Sequence, residues 1–329
     1  MSNQERHPGE QRVCTAEDTT PCPDTELLTP REVPLGGPRA MPVLRSLPGK
    51  NRRMIGAWCF ADVYGPTDIS HQAGMQVPPH PHIGLQTVSW LVRGRVHHRD
   101  SLGSDQLVQP GQLSIMTAGH GIAHSERTPQ DAHPVLHGAQ LWIALPEGDR
   151  HGPPAFAHHD DLPVLTHPGA RLTVIAGDVD GHRSPARVHT PLMGAEVTLD
   201  PGAHLTLPLD PDFEHGVLPL DTPLDLLGHH IEPGALLYLG PGRHHLDLAA
   251  TRGARLLVIG GTPFTEDLLM WWNLVGRDHD EIVRARTDWE RARTGHGTRF
   301  APVTGDPGPA LPAPELPTAR MRPRPPHRR

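Results

Sequence analysis

Most of the chain consists of short apolar segments bounded by Gly or Pro, without the hydrophobic period of a helix. Such segments predict β-strands. A first series lies at 54–65, 86–101, 112–119, 137–146 and 171–179. A second series follows at 195–209, 222–240, 244–250 and 254–261. The pattern predicts an all-β body in which two strand series follow each other along the chain.

One segment near the end of the body has the period of a helix instead. Residues 278–294 carry a single apolar stripe, formed by Ile282, Val283, Ala285 and Trp289. Asp278 stands just before the stripe and is a candidate N-cap, because its carboxylate can accept from the first backbone N–H groups. We therefore expect one helix to close the β body.

A weak internal repeat divides the body into two halves. The turn Pro110-Gly111-Gln112-Leu113 reappears as Pro233-Gly234-Ala235-Leu236, and each copy enters an apolar strand. Two similar strand series with one shared turn predict two β-barrel or sandwich halves of about 120 residues, an ordinary domain size. We place the first half at 35–160 and the second half, with the helix, at 161–295.

Both ends of the chain lack hydrophobic periodicity. Residues 1–34 are polar and rich in Pro and Thr, and residues 296–329 are rich in Pro and Arg. Segments that cannot bury enough apolar surface stay disordered. We therefore predict a disordered leader and a flexible tail.

Composition and charge exclude several classes of protein. With 34 Gly and 39 Pro among 329 residues, a mostly helical protein is excluded. The net charge of −7 argues against direct nucleic-acid binding, which depends on neutralising phosphates. No apolar run approaches the ~20 residues that span a bilayer, so no membrane association is expected. The N-terminus shows no apolar signal segment, and we expect a cytoplasmic protein, as a monomer with no protein partner evident from the sequence.

Cysteine and histidine content changes how single residues are read. Cys14, Cys22 and Cys59 are an odd number, so neither a disulfide framework nor a cysteine zinc site is expected. Histidine is abundant, with 25 residues, and a lone histidine is therefore weak evidence for a site. We therefore take a histidine as a candidate ligand only where its spacing from a second ligand-type residue suits a shared metal ion. His97 and His98 are not expected to be ligands.

Two short motifs have such a spacing. His80-Pro81-His82 and His124-Ser125-Glu126 each place two ligand-type side chains at positions i and i+2 beside a predicted strand. Residues at this spacing point to the same face of a strand. If the two strands lie close together, the side chains converge into a site of three histidines and one carboxylate.

Several divalent ions suit this ligand set. Neutral imidazoles with one carboxylate accept Fe(II), Mn(II), Ni(II), Cu(II) or Zn(II). Four protein ligands on a six-coordinate ion leave two positions for water, dioxygen or substrate, whereas a tetrahedral ion would be closed.

The second half serves as an internal control for the site. When the two Pro-Gly turns are aligned, Ala203 and Leu205 stand opposite His80 and His82. Asp247 and Ala249 stand opposite His124 and Glu126. The second half therefore keeps the turn and loses the ligands, which predicts a single metal site in the first half.

At these motifs the sequence resembles the pirin family of the cupin superfamily. The segments that carry the resemblance are HPHIGLQTVSW (80–90), PGQLSIMTAGHGIAHSE (110–126) and HGAQLWIALP (137–146). The resemblance implies a bicupin fold over residues 35–295. It also implies His80, His82, His124 and Glu126 as metal ligands and iron(II) as the usual ion.

The chain departs from the family pattern at two positions. Gln86 stands where generic cupins have a glutamate ligand, and it can only support the site through hydrogen bonds. Ile83 replaces the arginine that usually follows the second histidine. Met116, Gln140 and Trp142 are expected either to line the cavity or to belong to the core.

The resemblance implies two functions of different kinds. The first is an iron-dependent dioxygenase that is similar to quercetin 2,3-dioxygenases and acts on a flavonol-like or other enolic aromatic substrate. In that hypothesis Glu126 is both a ligand and the base that takes the proton of the substrate hydroxyl. The second is a non-enzymatic, iron-dependent redox sensor that binds a partner protein.

Overall fold

The computed structural model describes residues 25–35 and 41–327, which form mostly β-strands. The strands up to residue 159 are β1 (Thr25–Leu28), β2 (Arg31–Leu35), β3 (Met41–Leu47), β4 (Trp58–Asp68), β5 (Gln76–His82), β6 (Leu85–Arg93), β7 (Val96–Asp100), β8 (Asp105–Val108), β9 (Leu113–Thr117), β10 (Ile122–Arg127), β11 (Val135–Ala144) and β12 (Ala155–His159). The later strands are β13 (Val164–His167), β14 (Ala170–Val179), β15 (His182–Arg183), β16 (Leu192–Leu199), β17 (His204–Pro208), β18 (Glu214–Pro219), β19 (Leu224–Leu226), β20 (His229–Ile231), β21 (Leu236–Leu239), β22 (His245–Ala249), β23 (Ala254–Gly261), β24 (Leu269–Trp271) and β25 (Leu274–Gly276). The helix α1 (His279–Arg293) follows.

The strands form two consecutive β halves, as the sequence predicted. The first half has a seven-stranded sheet in the order β12-β9-β6-β11-β4-β3-β2 and a four-stranded sheet in the order β5-β10-β7-β8. The second half has an eight-stranded sheet in the order β1-β21-β18-β23-β16-β14-β13, with β15 beside β14, and the small pairs β17–β22 and β19–β20. Each half is a jelly roll of a large and a small sheet, and not a closed barrel.

The two halves share one apolar core. A single cluster of buried side chains contains Trp58 and Trp90 of the first half together with Leu257 of the second. The Trp58 indole N–H donates to the carbonyl oxygens of Met193, at 3.1 Å, and Gly260, at 3.2 Å. Because apolar contacts and buried hydrogen bonds both cross the boundary, the halves support each other's folding.

The predicted leader is wrong for the residues that the structure describes. Residues 25–35 form β1 and β2, and β1 pairs with β21, so the N-terminal strand belongs to the sheet of the second half. Leu28 on this strand is buried. A four-residue strand at a sheet edge is stabilised by its neighbours, which a local pattern does not reveal. The rest of the predicted leader, with Cys14 and Cys22, lies outside the described residues.

The predicted helix is confirmed as α1. The Asp278 side chain accepts from the Glu281 backbone N–H at 2.8 Å and caps the first turn. Ile282, Ala285 and Trp289 are buried on the expected stripe. Among the described residues, no helix combines the length and the apolar character that crossing a membrane would require.

The predicted flexible tail is wrong as well. Residues 296–327, which we call the C-terminal strap, follow a defined path across the first half. Leu311 N–H donates to the Pro79 carbonyl at 2.8 Å, and Arg53 N–H donates to the Pro326 carbonyl at 2.7 Å. Phe300, Ala313 and Met321 are buried apolar side chains of the strap. Apolar residues spaced without a period give no sequence signal, yet these three pack into one apolar cluster with the folded body.

Candidate metal centre

Three histidines meet on the small sheet of the first half. His80 and His82 lie on β5, and His124 lies opposite His80 on the neighbouring antiparallel strand β10. All three side chains are fully buried. One ring nitrogen from each lies within 4.8 Å of the others. The i, i+2 spacing predicted from the sequence therefore brings His80, His82 and His124 together.

Backbone carbonyls fix the ring orientation of two of these histidines. Nδ1 of His80 lies 2.9 Å from the Pro78 carbonyl oxygen, and Nδ1 of His82 lies 2.9 Å from the Asn273 carbonyl oxygen. A carbonyl only accepts, so each Nδ1 carries the proton and donates. Each Nε2 is then left with a lone pair. Asn273 is placed by the hairpin of β24 and β25, which turns through Trp272 in the left-handed region, φ 54°.

The inward-facing nitrogens match the requirements of a cation. Nε2 of His80 is buried and has no hydrogen-bond partner among the described residues. Nε2 of His82 lies only 3.1 Å from Nε2 of His124. Two ring nitrogens at this distance need either a proton or a cation between their lone pairs, and imidazole nitrogen is a common ligand of divalent transition metals. The three histidines therefore fit a metal ion.

Burial keeps these imidazoles neutral, which is the form that binds metal. Burial lowers the pKa of His80 from 6.5 to about 3. For His82 and His124, burial and then the neighbouring His80 hold the pKa well below 6.5. Neutral ligands have no proton to lose when a metal binds.

Glu126 lies near the histidines but is not one of their close group. Its buried carboxylate accepts from the Ser89 hydroxyl through Oε1 at 3.1 Å. The pairing of β10 with β5 shifts register between His124 and Glu126, so that Glu126 stands opposite Val77. A bulge of this kind re-aims the side chains beyond it. The carboxylate is not within 4.8 Å of all three histidine nitrogens, and Glu126 as fourth ligand stays a prediction.

The expected lining residues have different roles. Met116 lies in an apolar core cluster, as the core interpretation predicted. Trp142 belongs to the same cluster, where it stacks on Phe60 at 4.0 Å, and its ring also meets His82 edge-on at 5.2 Å. Gln140 contacts the Ser89 hydroxyl at 2.9 Å. Of these three side chains, Trp142 meets a candidate ligand directly and gives His82 a buried aromatic neighbour.

The two positions that depart from the family pattern lie outside the histidine group. The Gln86 amide donates to Thr117 Oγ1 at 2.9 Å and to the Arg187 carbonyl at 3.0 Å, and so it ties β6 to β9 and to the second half. Ile83 is buried with Ala123 and Leu274 in an apolar cluster, a place where arginine would need a charged partner.

Sequence reasoning missed two residues behind the site. His98 and Asp100 lie on β7, the strand beside β10, and both are buried. Nδ1 of His98 lies 3.3 Å from Nδ1 of His124. The available signal is a second i, i+2 pair, a histidine and an acid on one strand, whereas the sequence analysis considered His98 only as a ligand and did not consider Asp100.

The second half has no equivalent of the site within the described residues. Its small pair, β17 and β22, corresponds to β5 and β10, and the buried positions there are Leu205, Leu207, Leu246 and Leu248. Leucines therefore occupy the buried positions of this strand pair.

Comparison with known proteins agrees with the fold. A two-domain cupin protein is the class that this fold defines. The chain belongs to the pirin family: residues 40–143 match the family model Pirin, and residues 194–295 match the model of the Pirin C-terminal cupin domain. A Pseudomonas aeruginosa protein with the provisional name quercetin 2,3-dioxygenase PA1205 is 43% identical over 323 residues, which cover 96% of this chain and 98% of that protein.

Solved structures are similar to the chain over most of its length. The crystal structure of a quercetin 2,3-dioxygenase from Acinetobacter baumannii has a TM-score of 0.85 and 40% sequence identity, and the match covers 91% of this chain and 97% of that chain. The bacterial pirin YhhW from Escherichia coli, solved in complex with nickel(II), has a TM-score of 0.57 and 20% identity, covering 73% of this chain and 100% of that chain. At that identity the similarity to YhhW concerns the fold alone.

Proposed function

We propose that this pirin-family chain is a metal-dependent dioxygenase, with iron(II) as its ion, and that it acts on a flavonol-like or other enolic aromatic substrate. The observation that carries the proposal is the buried group His80, His82 and His124, which brings one ring nitrogen of each histidine within 4.8 Å of the others. The names of the Pseudomonas and Acinetobacter relatives support the substrate class.

The protein side chains would divide the work as follows. The three histidines hold the ion through Nε2, and a bound ion with open positions supplies Lewis acidity toward the substrate hydroxyl and a meeting point with dioxygen. Glu126 is the base that takes the hydroxyl proton, and Ser89 orients its carboxylate. The buried apolar cluster that contains Met116 and reaches His82 through Trp142 excludes water from the reacting groups.

The test is oxygen consumption with a flavonol such as quercetin by the iron(II)-loaded protein. We expect turnover with release of carbon monoxide, and we expect His82→Ala to abolish it together with iron binding. His120→Ala changes an exposed histidine of the same half and is the matched control. Turnover by the iron-loaded protein no faster than by the metal-free protein would refute the dioxygenase proposal.

One observation favours a second candidate, the non-enzymatic redox sensor. Met116 and Trp142 are both buried in a packed cluster beside the histidines, so a bicyclic substrate could enter only after side chains move. A sensor needs no such entry, because a change in the charge of the ion would act on the surrounding packing. Iron binding without turnover, combined with a conformational difference between the iron(II) and iron(III) forms, is the result that this candidate predicts.

A further inference from the structure

A chain of hydrogen bonds leads away from the candidate metal centre on the side of His124. Nδ1 of His124 lies 3.3 Å from Nδ1 of His98, and Nε2 of His98 lies 3.0 Å from Oδ2 of Asp100. All three side chains are buried. Antiparallel pairing of β10 with β7 sets them side by side, with His124 directly opposite Asp100.

The acceptor at the far end determines where each proton lies. A carboxylate only accepts, so Nε2 of His98 carries a proton and donates to Asp100, and we assign the lone pair of the ring to Nδ1. Nδ1 of His124 must then donate to His98, and the lone pair of His124 stays on Nε2, which faces His82 and His80. Burial raises the pKa of Asp100, but the hydrogen bonds from His98 and Ser104 lower this pKa by more, so that it lies below its usual value.

Further contacts hold the side chains of Asp100 and His98 in place. Oδ1 of Asp100 accepts from the backbone N–H groups of Leu102, at 2.8 Å, and Ser104, at 3.1 Å. The His98 ring stacks on Phe156 with centroids 4.3 Å apart and planes inclined by 12°. Neither side chain can turn away without losing these contacts, so the direction of the hydrogen bonds is built into the fold.

His124 differs from the other two histidines in this respect. His80 and His82 donate to backbone carbonyls, which carry no net charge. His124 alone of the three is backed, through His98, by a carboxylate. A carboxylate behind a metal-binding histidine fixes its tautomer and raises its basicity as a ligand.

We propose that Asp100 and His98 are positioning residues of the candidate metal centre, which fix the tautomer and orientation of His124. This inference rests on the proposed function only in that the three histidines must bind a metal ion. It holds whether the metal-loaded protein is an oxygenase or a sensor.

The first test is Asp100→Asn, with Ni(II) and Co(II) as the metal probes. Asparagine keeps an oxygen for the Leu102 and Ser104 N–H groups but presents an N–H₂ donor to His98. His98 must then protonate Nδ1, which moves the His124 proton to Nε2, the atom that binds the metal. We expect Ni(II) affinity, measured by chelator competition, to fall about 10- to 100-fold, and the visible absorption of the Co(II) form to shift.

Two substitutions of His98 separate hydrogen bonding from packing. His98→Phe keeps a ring against Phe156 and removes the acceptor, and we expect it to lose affinity as Asp100→Asn does. His98→Asn loses the stacking but places an oxygen close to the position of Nδ1, and we expect Ni(II) affinity within a few-fold of the parent. Asp105→Asn changes the exposed partner of His97 on the same sheet and is the matched control.

The results distinguish this inference from the function proposed above. Parent-like Ni(II) affinity and Co(II) absorption in both Asp100→Asn and His98→Phe would overturn the positioning role, even with dioxygenase turnover intact. Equal losses in His98→Asn and His98→Phe would also overturn it, because packing would then be the cause. If Asp100→Asn does not fold, the two His98 variants decide. A parent chain that binds neither metal refutes the metal centre itself.

Discussion

His215 is a buried histidine in the second half and lies outside the candidate metal centre. It is fully buried, and neither ring nitrogen has a hydrogen-bond partner among the described residues. Burial lowers the pKa of His215 from 6.5 to about 4. Between these values the unfolded chain binds a proton that the folded chain does not, so this residue makes the protein less stable as the pH falls below 6.5.

We therefore expect His215→Leu to become relatively more stable than the parent at low pH. Between pH 7.5 and pH 5, the difference in free energy of unfolding should move by about 2 kcal/mol in favour of the variant, at 1.36 kcal/mol per pKa unit. Urea unfolding of both proteins at the two pH values, with chelator present throughout, measures this. His244→Leu changes an exposed histidine as control, and a difference independent of pH would contradict the expectation.

Glu126→Gln tests the separate roles given to this carboxylate. Glutamine keeps the size and an acceptor for Ser89 but cannot take a proton at neutral pH. We expect substrate oxidation to fall about 100-fold or more, with iron content reduced far less. Iron analysis and oxygen consumption on the same preparation measure both quantities, with Glu232→Gln at an exposed site as control. Equal losses of iron and activity would show that Glu126 is only a ligand.

At the scale of single residues, the histidines were predictable and their surroundings were not. His80 and His82 could be found because side chains two apart on a strand share a face. The place of Glu126 depends on a register shift after His124, which is a property of the strand pair. The link from His98 to His124 depends equally on which strands are neighbours.

At the scale of elements, the C-terminal strap contacts the strands that carry the candidate ligands. Leu311 binds the carbonyl of Pro79, next to His80, and Asp306 binds Arg127, next to Glu126, through two hydrogen bonds of 2.6 and 2.8 Å. The Asp306 side chain is fully buried. The strap therefore restrains both β5 and β10 beside the site.

Asp306→Ala should loosen this strap. Removing one partner of a largely buried ion pair leaves Arg127 without its carboxylate, and we expect a loss of about 1–3 kcal/mol in the free energy of unfolding. We also expect faster proteolysis within residues 296–327. Arg320→Ala breaks an exposed strap ion pair with Asp280 and should cost less than about 1 kcal/mol. Similar losses in the two variants would show that the Asp306 contact is not special.

The helix that the sequence predicted is stabilised by local contacts, and the segments that it missed are stabilised by distant ones. Helix α1 was predictable because its cap and its apolar stripe lie within seventeen residues of sequence, 278–294. The strand β1 and the strap were missed because each is stabilised by partners far away, β21 in one case and β5 in the other. No periodic pattern is needed for a segment whose backbone bonds to an existing surface.

At the scale of the whole molecule, the sequence predicted two β halves but not how they join. The shared Pro-Gly turn and the two strand series sufficed for the first conclusion. The joint depends on Trp58 and Trp90, whose indole N–H groups reach Met193, Gly260 and Glu196 of the second half. A tryptophan in a strand pattern indicates a buried position, but the sequence does not show whether it packs within one half or between the two halves.

The shared core predicts that the two halves unfold together, and Trp58→Phe tests this. The change removes the donor that serves the carbonyls of Met193 and Gly260 and leaves a small cavity, and we expect a loss of about 2–4 kcal/mol in the free energy of unfolding. Fluorescence and circular dichroism in urea should give one coincident transition for parent and variant. Trp271→Phe is the matched control, because the Trp271 indole N–H has no hydrogen-bond partner among the described residues. Two separate transitions in the parent would contradict a shared core. A single transition that Trp58→Phe destabilises and Trp271→Phe does not would show that hydrogen bonds across the boundary hold the first half to the second half.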